Sequence, residues 1–362
     1  RFLGGGAFWS NRIVYHWNKT VVEGLDVLDP ITRILDMSRI GPVLTFEDEA
    51  VRKGPPVTAM LVQNTNPAAV APDTKRVLKG LKRDDLFLCV HEQFLTETAQ
   101  LADIVLPATM FLEHDDIYQA GGHMHLQIHR AVIEAPEQTR SNHWVINELA
   151  KRLGAQHPGF GMTEWELIDK TLLDSGWPSA DALLEKKWHD VQPSFADSHF
   201  LNGFPTSTGR FQFSADWSKL GPLGSKLPNY PDHCDNIDSA TAEKPFRLIT
   251  SPARNYLNTS FTETPTSKRK EVRPTVKIHP DAASQLCLED GDKVRLGNEQ
   301  GSVVLNVSIF SGLQTNVVVV ESVWPNSAFE EGVGINTLIS AEAGPPNGGA
   351  VFHDTAIWIK PA

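Results

Sequence analysis

Three short polar segments each follow an apolar run of a length typical of a buried strand. The runs are VTAMLVQ (57–63), LFLCV (86–90) and DIVLP (103–107). The side chains that follow them are Asn66, His91, Glu92, Glu113 and His114. Amides, imidazoles and carboxylates of this kind can donate hydrogen bonds to a nucleotide's base, sugar and phosphates, or accept them. Ligands bind at the carboxyl ends of the strands in an open parallel sheet, so the pattern predicts a nucleotide-like ligand there.

The common nucleotide-binding motifs do not indicate which nucleotide would bind. No GxGxxG follows a strand, and neither GxxxxGKS nor GxxxxGKT occurs in the chain. The glycine cluster of LGGGAF (3–8) predicts a tight turn. No GxSxG elbow is present, so the sequence does not support a serine or cysteine nucleophile.

A metal site is a second interpretation of the region around His114. The segment EHDDIYQAGGHMHLQIH (113–129) contains four histidines with acids between them, and these are ligand types that zinc and iron prefer. His123, His125 and His129 also share one face of a predicted strand, which equally describes a solvated strand face. A metallohydrolase with a metal bound by these histidines and acids is therefore an alternative.

The elements that would position these side chains follow from the hydrophobic pattern. Near-continuous apolar strands alternate with helices, predicted at PDTKRVLKGL (72–81), TETAQLA (96–102) and HWVINELAKRLG (143–154), which favours a parallel sheet covered on both faces. The spacing of Ile31, Ile34, Leu35 and Met37 predicts a further helix. From about residue 244 the pattern alternates with period two. Six short strands separated by turn residues predict a small closed barrel; they are PFRLIT, TVKIHP, DKVRLGN, GSVVLNVSI, TNVVVVES and TAIWIK.

This pattern predicts four parts along the chain. Residues 1–55 form the tail of a preceding α/β domain, and residues 56–155 form an α/β nucleotide-binding domain. Residues 156–243 form an irregular connecting segment with short helices such as TEWELIDKTLLDSG, and residues 244–362 form the barrel. Because the sequence begins at Arg1 without Met or a signal-like segment, we interpret it as a piece of a longer polypeptide.

Composition excludes several classes of protein. The 362 residues are 41% hydrophobic and 21% charged, as in ordinary globular proteins, and the net charge is −11. Nucleic acid and anionic membrane surfaces both need a basic face and are therefore not expected as partners. The three cysteines form no CxxC pair, so we expect no disulfide framework, zinc knuckle or iron–sulfur cluster within this chain. No apolar run approaches the roughly 20 residues that span a bilayer.

Two distant regions resemble one known family. The segment from LVQNTNP to FLEHDD (61–116) resembles the dimethyl sulfoxide reductase family, the molybdenum or tungsten oxidoreductases that carry molybdopterin guanine dinucleotide. The segment from PTVKIHP to NVSIF (274–310) resembles the C-terminal dinucleotide-binding barrel of the same family. The resemblance implies an α/β fold, with a parallel-sheet nucleotide-binding domain plus a C-terminal six-stranded double-psi β-barrel.

The resemblance also implies a function and cofactors. We expect the C-terminal cofactor-binding portion of an oxidoreductase that performs two-electron or oxygen-atom transfer on a small substrate. Two molybdopterin guanine dinucleotides would hold one Mo or W. The metal's protein ligand and any [4Fe-4S] cluster would belong to the family's N-terminal region, so we expect no metal ligand and no turnover in this portion alone. A non-catalytic pterin-nucleotide-binding module is the alternative. The sequence resembles uncharacterised bacterial members that are formate dehydrogenase-like or biotin sulfoxide reductase-like, and the resemblance implies an electron-transfer protein as a further partner. A cytoplasmic location is favoured, with the periplasm as the alternative.

Candidate cofactor-binding residues are carried over where the family's motifs match this sequence. Asn66 falls where the family contacts the nucleotide, and His91 and Glu92 match a pair that meets the guanosine. His114 occupies a position that is Lys in some relatives, and Asn142 one that is often Asp. The remaining positions lie in the barrel region, five around the pterin and pyrophosphate and two later ones that face the cofactor. They are Thr250, Ser251, Arg254, Asn258 and Thr259, followed by Asn336 and His353.

Overall fold

The computed structural model of the protein describes residues 15–29, 31–119, 123–214, 216–230, 232, 239–321 and 323–362. The chain divides into two compact units, each built from two separate stretches. Unit 1 comprises Arg1–Thr32 and Leu106–Phe213, and unit 2 comprises Arg33–Val105 and Ser214–Ala362. The glycine cluster at 3–8 and Cys234 lie outside the described residues. The four-part division along the sequence stays a prediction.

The helices and strands have the following bounds. The helices are α1 (Thr20–Glu23), α2 (Ile40–Leu44), α3 (Glu49–Arg52), α4 (Pro67–Val70), α5 (Thr74–Leu81), α6 (Asn142–Leu153), α7 (Glu164–Asp174), α8 (Ala180–Lys186), α9 (Phe195–Ser198), α10 (Pro265–Glu271) and α11 (Pro280–Gln285). The strands are β1 (Ala59–Gln63), β2 (Phe87–Glu92), β3 (Ile104–Pro107), β4 (Asp116–Tyr118), β5 (His125–His129), β6 (His189–Asp190), β7 (Phe246–Ile249), β8 (Thr275–Ile278), β9 (Lys293–Gly297), β10 (Ser302–Ile309), β11 (Val317–Val320) and β12 (Thr355–Pro361). None of the helices in these described ranges is long and apolar enough to cross a membrane.

A small parallel sheet lies mainly in the first stretch of unit 2, and the last two residues of β3, Leu106 and Pro107, are assigned to unit 1. The strand order is β1-β2-β3, and β1 and β2 run parallel with Gln63 opposite His91. Val62, Leu88 and Val90 pack from the sheet against Val77 of α5 and Leu44 of α2. The apolar runs at 57–63 and 86–90 form these strands because burial rewards Val and Leu on a covered sheet face. The predicted parallel α/β arrangement is confirmed.

The second part of unit 2 is a closed six-stranded barrel. Its strand order is β10-β8-β11-β7-β12-β9, closing from β9 back to β10. Two pairs are parallel, β8 with β10 and β7 with β11, and the other pairs are antiparallel. Leu248, Val276, Ile278, Leu296 and Ile357 point into the barrel and are fully buried. All six strands predicted from the period-two pattern are present.

Unit 1 contains the antiparallel sheet β4-β5-β6 and the helices α6, α7 and α8. Leu126 of β5 packs with Leu172 and Leu183 from two of these helices in a small core. Helix α6 ends at the predicted Gly154, which adopts a left-handed conformation with φ 68°. Helix α7, within the segment predicted to contain short helices, begins with a capping box formed by Thr163 and Glu166.

Two local predictions are wrong. The segment at 31–36 is not helical, because Asp36 has an extended backbone and caps a 3-10 turn that begins only at Met37. Ile31, Ile34 and Met37 are each more than four-fifths exposed, so no packing offsets the cost of forming a helix there. The TETAQLA segment contains only a single 3-10 turn, Ala99–Leu101.

Candidate cofactor site

The polar segments after β1 and β2 meet at one edge of the parallel sheet. Asn64, with φ 51°, ends β1 and donates its backbone N–H to the carbonyl of His91 at 2.9 Å. This left-handed residue turns the chain away from the sheet, which asparagine tolerates better than most residues. The segment 64–74 therefore begins beside the end of β2, as the sequence pattern predicts.

Asn66 joins the first of these segments to the second. Its Nδ2 donates to Oε2 of Glu97 at 2.7 Å, and its Oδ1 accepts from the backbone N–H and the hydroxyl of Thr98. The Thr98 hydroxyl also accepts from the backbone N–H of Ala68 at 3.0 Å. The Asn66 side chain is 3% exposed. Its hydrogen bonds are therefore made mainly within the protein.

Two asparagines from the barrel region donate side-chain hydrogen bonds to the backbone carbonyls of the short helix α4. A four-residue helix leaves its carbonyls without intrahelical partners. Asn326 donates from Nδ2 to the carbonyl of Ala68 at 2.8 Å. Asn336 donates from Nδ2 to the carbonyls of Ala69 and Val70, at 3.2 and 2.9 Å. The loop after β1 and the barrel region of unit 2 are thus hydrogen-bonded through three consecutive carbonyls.

Glu97 connects the same two regions from the other side. Its Oε1 accepts from the backbone N–H of Asn326 at 2.9 Å, while its Oε2 accepts from Asn66. The Asn326 Oδ1 accepts in turn from the backbone N–H of Gly334 at 2.8 Å. A Cβ at Gly334 would lie 2.9 Å from that oxygen, so the close approach requires glycine. Sequence reasoning missed Glu97, Thr98 and Asn326. The signal in the sequence that could have pointed to these residues is Glu97 itself, the acidic residue of the TETA segment (96–99).

His91 and Glu92 lie at the end of β2 in different environments. His91 is fully buried, and its Nδ1 is 3.2 Å from Nε2 of Gln63 on the neighbouring strand. Glu92 is half-buried, and its Oε1 accepts from the backbone N–H of Gln93 at 2.7 Å. The second carboxylate oxygen of Glu92 is therefore the better placed of these groups to accept from a ligand.

The loop that follows β7 lies beside the segment that precedes β12. The hydroxyl of Thr250 donates to the carbonyl of Phe352 at 2.7 Å, and the backbone N–H of Asp354 donates to the carbonyl of Leu248 at 2.8 Å. Arg247 and Asp354 also form a hydrogen-bonded ion pair. These contacts bring two sequence-predicted regions together, that of Thr250 and that of the exposed His353.

Buried neighbours fix the position of the residues around Arg254. Asn255 donates from its backbone N–H and from Nδ2 to Oε1 of Glu271, at 2.6 and 2.8 Å. The Tyr256 ring packs edge-on against Trp324, with centroids 5.1 Å apart. Burial raises the pKa of Tyr256, and the nearby carboxylate of Glu271 raises it further. The phenol therefore stays protonated, and the backbone on the C-terminal side of Arg254 is anchored.

The polar side chains of this loop are open to solvent. Arg254 and Asn258 are exposed, and Ser251 and Thr259 are half-buried. Across the described parts of the chain, the Arg254 guanidinium has neither a hydrogen bond nor an ion pair. Asn258 has φ 50°, which turns the loop at its tip. The loop therefore offers hydroxyls, an amide and an uncompensated cation.

His114 and Asn142 lie on unit 1. The Nδ1 of His114 is 2.8 Å from the Thr109 hydroxyl, and its Nε2 is 3.7 Å from Oδ2 of Asp116. Glu113 accepts from the backbone N–H of Met110 at 2.8 Å and closes a local turn. Asn142 is the exposed first residue of α6. The structure thus brings ten of the twelve predicted residues onto unit 2.

The histidines of 113–129 do not converge on a common point. Among the residues that the structure describes, no group of three or more His, Cys, Asp or Glu side chains is arranged to hold a metal ion. His129 contacts the Tyr118 hydroxyl through Nε2 at 2.7 Å, and His125 packs edge-on against Trp188. On β5, Leu126 and Ile128 are buried while His125 and His129 lie on the opposite, partly solvated face. The metallohydrolase alternative has no geometric support in these residues.

Two family models match the parts of the chain that contain this site. The family described as "Molydopterin dinucleotide binding domain" matches residues 246–356, which contain the barrel. The family described as "Molybdopterin oxidoreductase" matches residues 42–152, which contain the parallel sheet and its loops. Together with the fold, these matches define the class of this protein as molybdopterin-binding.

Individual relatives indicate the family within this class. A probable oxidoreductase of Bacillus subtilis, YoaE, is 30% identical over 99% of this chain and 51% of its own length. The dimethyl sulfoxide/trimethylamine N-oxide reductase of Rhodobacter capsulatus is 25% identical over 87% of this chain and 42% of its own length. The chain belongs to the dimethyl sulfoxide reductase family of molybdopterin oxidoreductases, as its motifs predict.

A solved structure supports the fold independently. Acetylene hydratase from Pelobacter acetylenicus superposes with a TM-score of 0.71 over 91% of this chain and 47% of that chain, at 18% sequence identity. The chain spans about half the length, or less, of the curated relatives that it matches.

Proposed function

We propose that unit 2 binds the dinucleotide end of a molybdopterin guanine dinucleotide, between the loops after β1 and β2 and the loop after β7. The observation that carries this proposal is Arg254, an exposed guanidinium without an internal partner on an anchored loop. In a chain of net charge −11, an uncompensated arginine on a fixed loop is well suited to a phosphate.

The donor set of the loop fits such a ligand. Arg254 offers a bidentate donor to a pyrophosphate oxygen pair, and the hydroxyls of Ser251 and Thr259 and the amide of Asn258 offer further donors. Glu92 offers a carboxylate oxygen that can accept from the guanine N1–H and N2–H₂ or from ribose hydroxyls. These groups are matched to a phosphorylated guanosine, which carries both acceptors and donors.

The chain's own residues would bind and orient the cofactor, which supplies the redox chemistry when bound. We propose that in the complete protein two such dinucleotides hold one Mo or W, and that the metal's protein ligand and any iron–sulfur cluster lie in sequence outside this chain. The whole protein would perform two-electron or oxygen-atom transfer on a small substrate, with an electron-transfer protein as partner. The reductase names of several relatives support that reaction class. The 362-residue chain alone would bind without turnover.

Cofactor content and nucleotide affinity test the proposal. The chain, expressed in bacteria that make the molybdenum cofactor, should release GMP on acid hydrolysis and contain Mo or W by mass spectrometry. The purified chain should bind GDP in preference to ADP by calorimetry. Arg254→Gln should weaken GDP binding about 10- to 100-fold, the loss expected for one charge-assisted hydrogen-bonded contact of about 1.5–3 kcal/mol.

Arg269→Gln is the matched control. Arg269 lies on α10, is also exposed, and also has no ion pair among the described residues. Its loss should leave GDP affinity unchanged apart from a small long-range effect that vanishes at high salt. Equal losses in the two variants would indicate nonspecific attraction and refute an anchored phosphate site. Absence of GMP, metal and GDP binding in the unsubstituted chain would refute the proposed function itself.

A further inference from the structure

A largely buried polar bridge, in which only Glu97 is half-buried, joins the loop after β1 to the barrel region of unit 2. It consists of Asn66, Glu97, Thr98 and Asn326, and the name polar bridge is used below for these four residues. Asn66, Thr98 and Asn326 are at most 6% exposed. Their contacts connect residues that are 229 positions apart in the sequence.

The hydrogen-bonding capacity of Asn66 is almost fully used inside the bridge. An asparagine amide offers two acceptor lone pairs and two N–H donors. Both lone pairs of Oδ1 accept from Thr98, and one N–H of Nδ2 donates to Glu97. A single N–H is left for any other partner. Asn66 is therefore poorly suited to recognise a nucleotide directly, although the family resemblance assigns it that role.

Glu97 lies between donors from both regions. One carboxylate oxygen accepts from the Asn66 amide, and the other accepts from the Asn326 backbone N–H. Over the described residues, no arginine or lysine forms an ion pair with this carboxylate. Its orientation is therefore determined by these two N–H groups, one from each region. We therefore expect a change at either end to shift the other.

The side chain of Asn326 is hydrogen-bonded to two further backbone groups. Its Nδ2 donates to the carbonyl of Ala68 in α4, and its Oδ1 accepts from the N–H of Gly334. The bridge thus fixes the short helix α4 and the 326–334 segment by hydrogen bonds with defined donor and acceptor roles. Largely buried hydrogen-bond networks of this kind favour one arrangement, because another arrangement would leave buried polar groups unpaired.

We propose that the polar bridge positions the nucleotide-binding loop 64–74 against the barrel, and that Asn66 and Glu97 act as positioning residues rather than nucleotide ligands. This inference rests on the proposed function of unit 2. Its physical basis is preorganisation, because a ligand that bridges two loops binds more tightly when their separation is already fixed. Loosening the bridge should weaken binding without removing any group that contacts the ligand.

The direction of the contact between Asn66 and Glu97 allows a sharp test. Glu97→Gln forces an N–H toward either the Asn66 amide or the Asn326 N–H, so one donor faces another. Asn66→Asp places a carboxylate against Glu97, and two carboxylates at this distance repel each other. In N66D/E97Q the introduced glutamine can donate to the introduced aspartate and still accept from Asn326. The double substitution therefore restores every contact with one donor and acceptor pair exchanged, at unchanged net charge.

GDP affinity of the 362-residue chain is the readout, measured by calorimetry at a temperature where each variant is folded. Each single substitution should weaken GDP binding about tenfold or more, and N66D/E97Q should recover to within about threefold of the unsubstituted chain. If Asn66 contacts the nucleotide directly, the double variant stays as weak as N66D, because the asparagine is still absent. Unchanged affinity in both single variants would also overturn the inference.

Two controls separate this inference from the proposed function and from general stability. Glu299→Gln removes a carboxylate that pairs with Lys244 and that, in the described part of the chain, makes no hydrogen bond or ion pair with the bridge, so it should not change GDP affinity. Amide hydrogen exchange at residues 68, 98, 326 and 334 reports the bridge without any ligand. Faster exchange there in E97Q, with rescue in N66D/E97Q, would establish the bridge even if GDP fails to bind. If the chain then also contains neither GMP nor metal, the proposed function fails and the positioning role fails with it. Unchanged exchange would refute the bridge.

Discussion

Replacing Asn336 by alanine removes both N–H groups that complete the C-terminal end of α4. The Asn336 side chain is 2% exposed, and its Nδ2 donates to the carbonyls of Ala69 and Val70. Ala69 is buried and Val70 is half-buried. Alanine offers no donor, and water has little access to the first of these carbonyls.

The cost follows from the two lost hydrogen bonds. A buried carbonyl left without a partner costs about 1–3 kcal/mol, and the more exposed Val70 carbonyl loses about 0.5–1.5 kcal/mol. Asn336→Ala should therefore destabilise the α4 region by about 1.5–4.5 kcal/mol. In hydrogen exchange this corresponds to about a 12- to 1,600-fold loss of protection, at about 1.4 kcal/mol per factor of ten. The affected amides are those of residues 69, 70, 71 and 73, which are hydrogen-bonded in or next to α4.

Native-state hydrogen exchange with mass spectrometry gives this loss directly, and Asn306→Ala is the control. Asn306 on β10 donates a single N–H to the carbonyl of Gly291 within the barrel, so its loss should cost about 1 kcal/mol and leave α4 protected. The reasoning is refuted if Asn336→Ala destabilises no more than Asn306→Ala. It is equally refuted if the protection lost in Asn336→Ala lies outside residues 66–74.

Two further predictions concern the barrel and unit 1. Gly297 lies opposite Trp358 between β9 and β12, and a Cβ there would overlap the indole, so Gly297→Ala should cost about 1–3 kcal/mol in urea unfolding. Gly161→Ala, where nothing lies within 4 Å of the new methyl group, should cost less, and equal costs would contradict the overlap. Burial, with a contribution from Lys186, lowers the pKa of His189, so the folded state favours the neutral imidazole. Stability should therefore fall as the pH drops below the unfolded value of about 6.5, and His189→Gln should reduce that fall between pH 7 and 5; an identical fall would contradict the prediction.

The barrel could be predicted from the sequence because its signal is local. Strands β8 and β11 alternate half-buried and buried residues, whereas β10 and β12 each contain a run of three buried residues. Turn residues separate the six strands, so the strand pattern is visible within four to eight residues. The strand order, in contrast, cannot be predicted from these patterns. Pairing of β7 with β11 joins residues about 70 positions apart, and no local pattern encodes that contact.

The failed helix at 31–37 shows the limit of periodicity. Apolar residues at helical spacing stabilise a helix only when another surface packs against its apolar face. Ile31, Ile34 and Met37 are all exposed. Asp36, a strong capping residue, instead caps the 3-10 turn that begins at Met37, because its side chain accepts from the backbone N–H of Ser38 at 2.8 Å. The cap formed by Asp36 therefore sets this boundary, and hydrophobic spacing alone does not indicate it.

The candidate site was predicted at the level of its loops, whereas the roles of its residues depend on contacts between distant segments. The side chains of Thr250 and Asn336 donate their hydrogen bonds to backbone carbonyls of other segments. Arg254 and His353, in contrast, are exposed and have no hydrogen-bond or ion-pair partner for their side chains among the described residues. A motif aligns all four positions, yet only the second pair has donors left for a ligand. Substitutions at the two kinds of position should therefore fail in different ways. Arg254→Gln should lower nucleotide affinity at unchanged stability, and Asn336→Ala should lower the stability of α4 first and affinity only as a consequence.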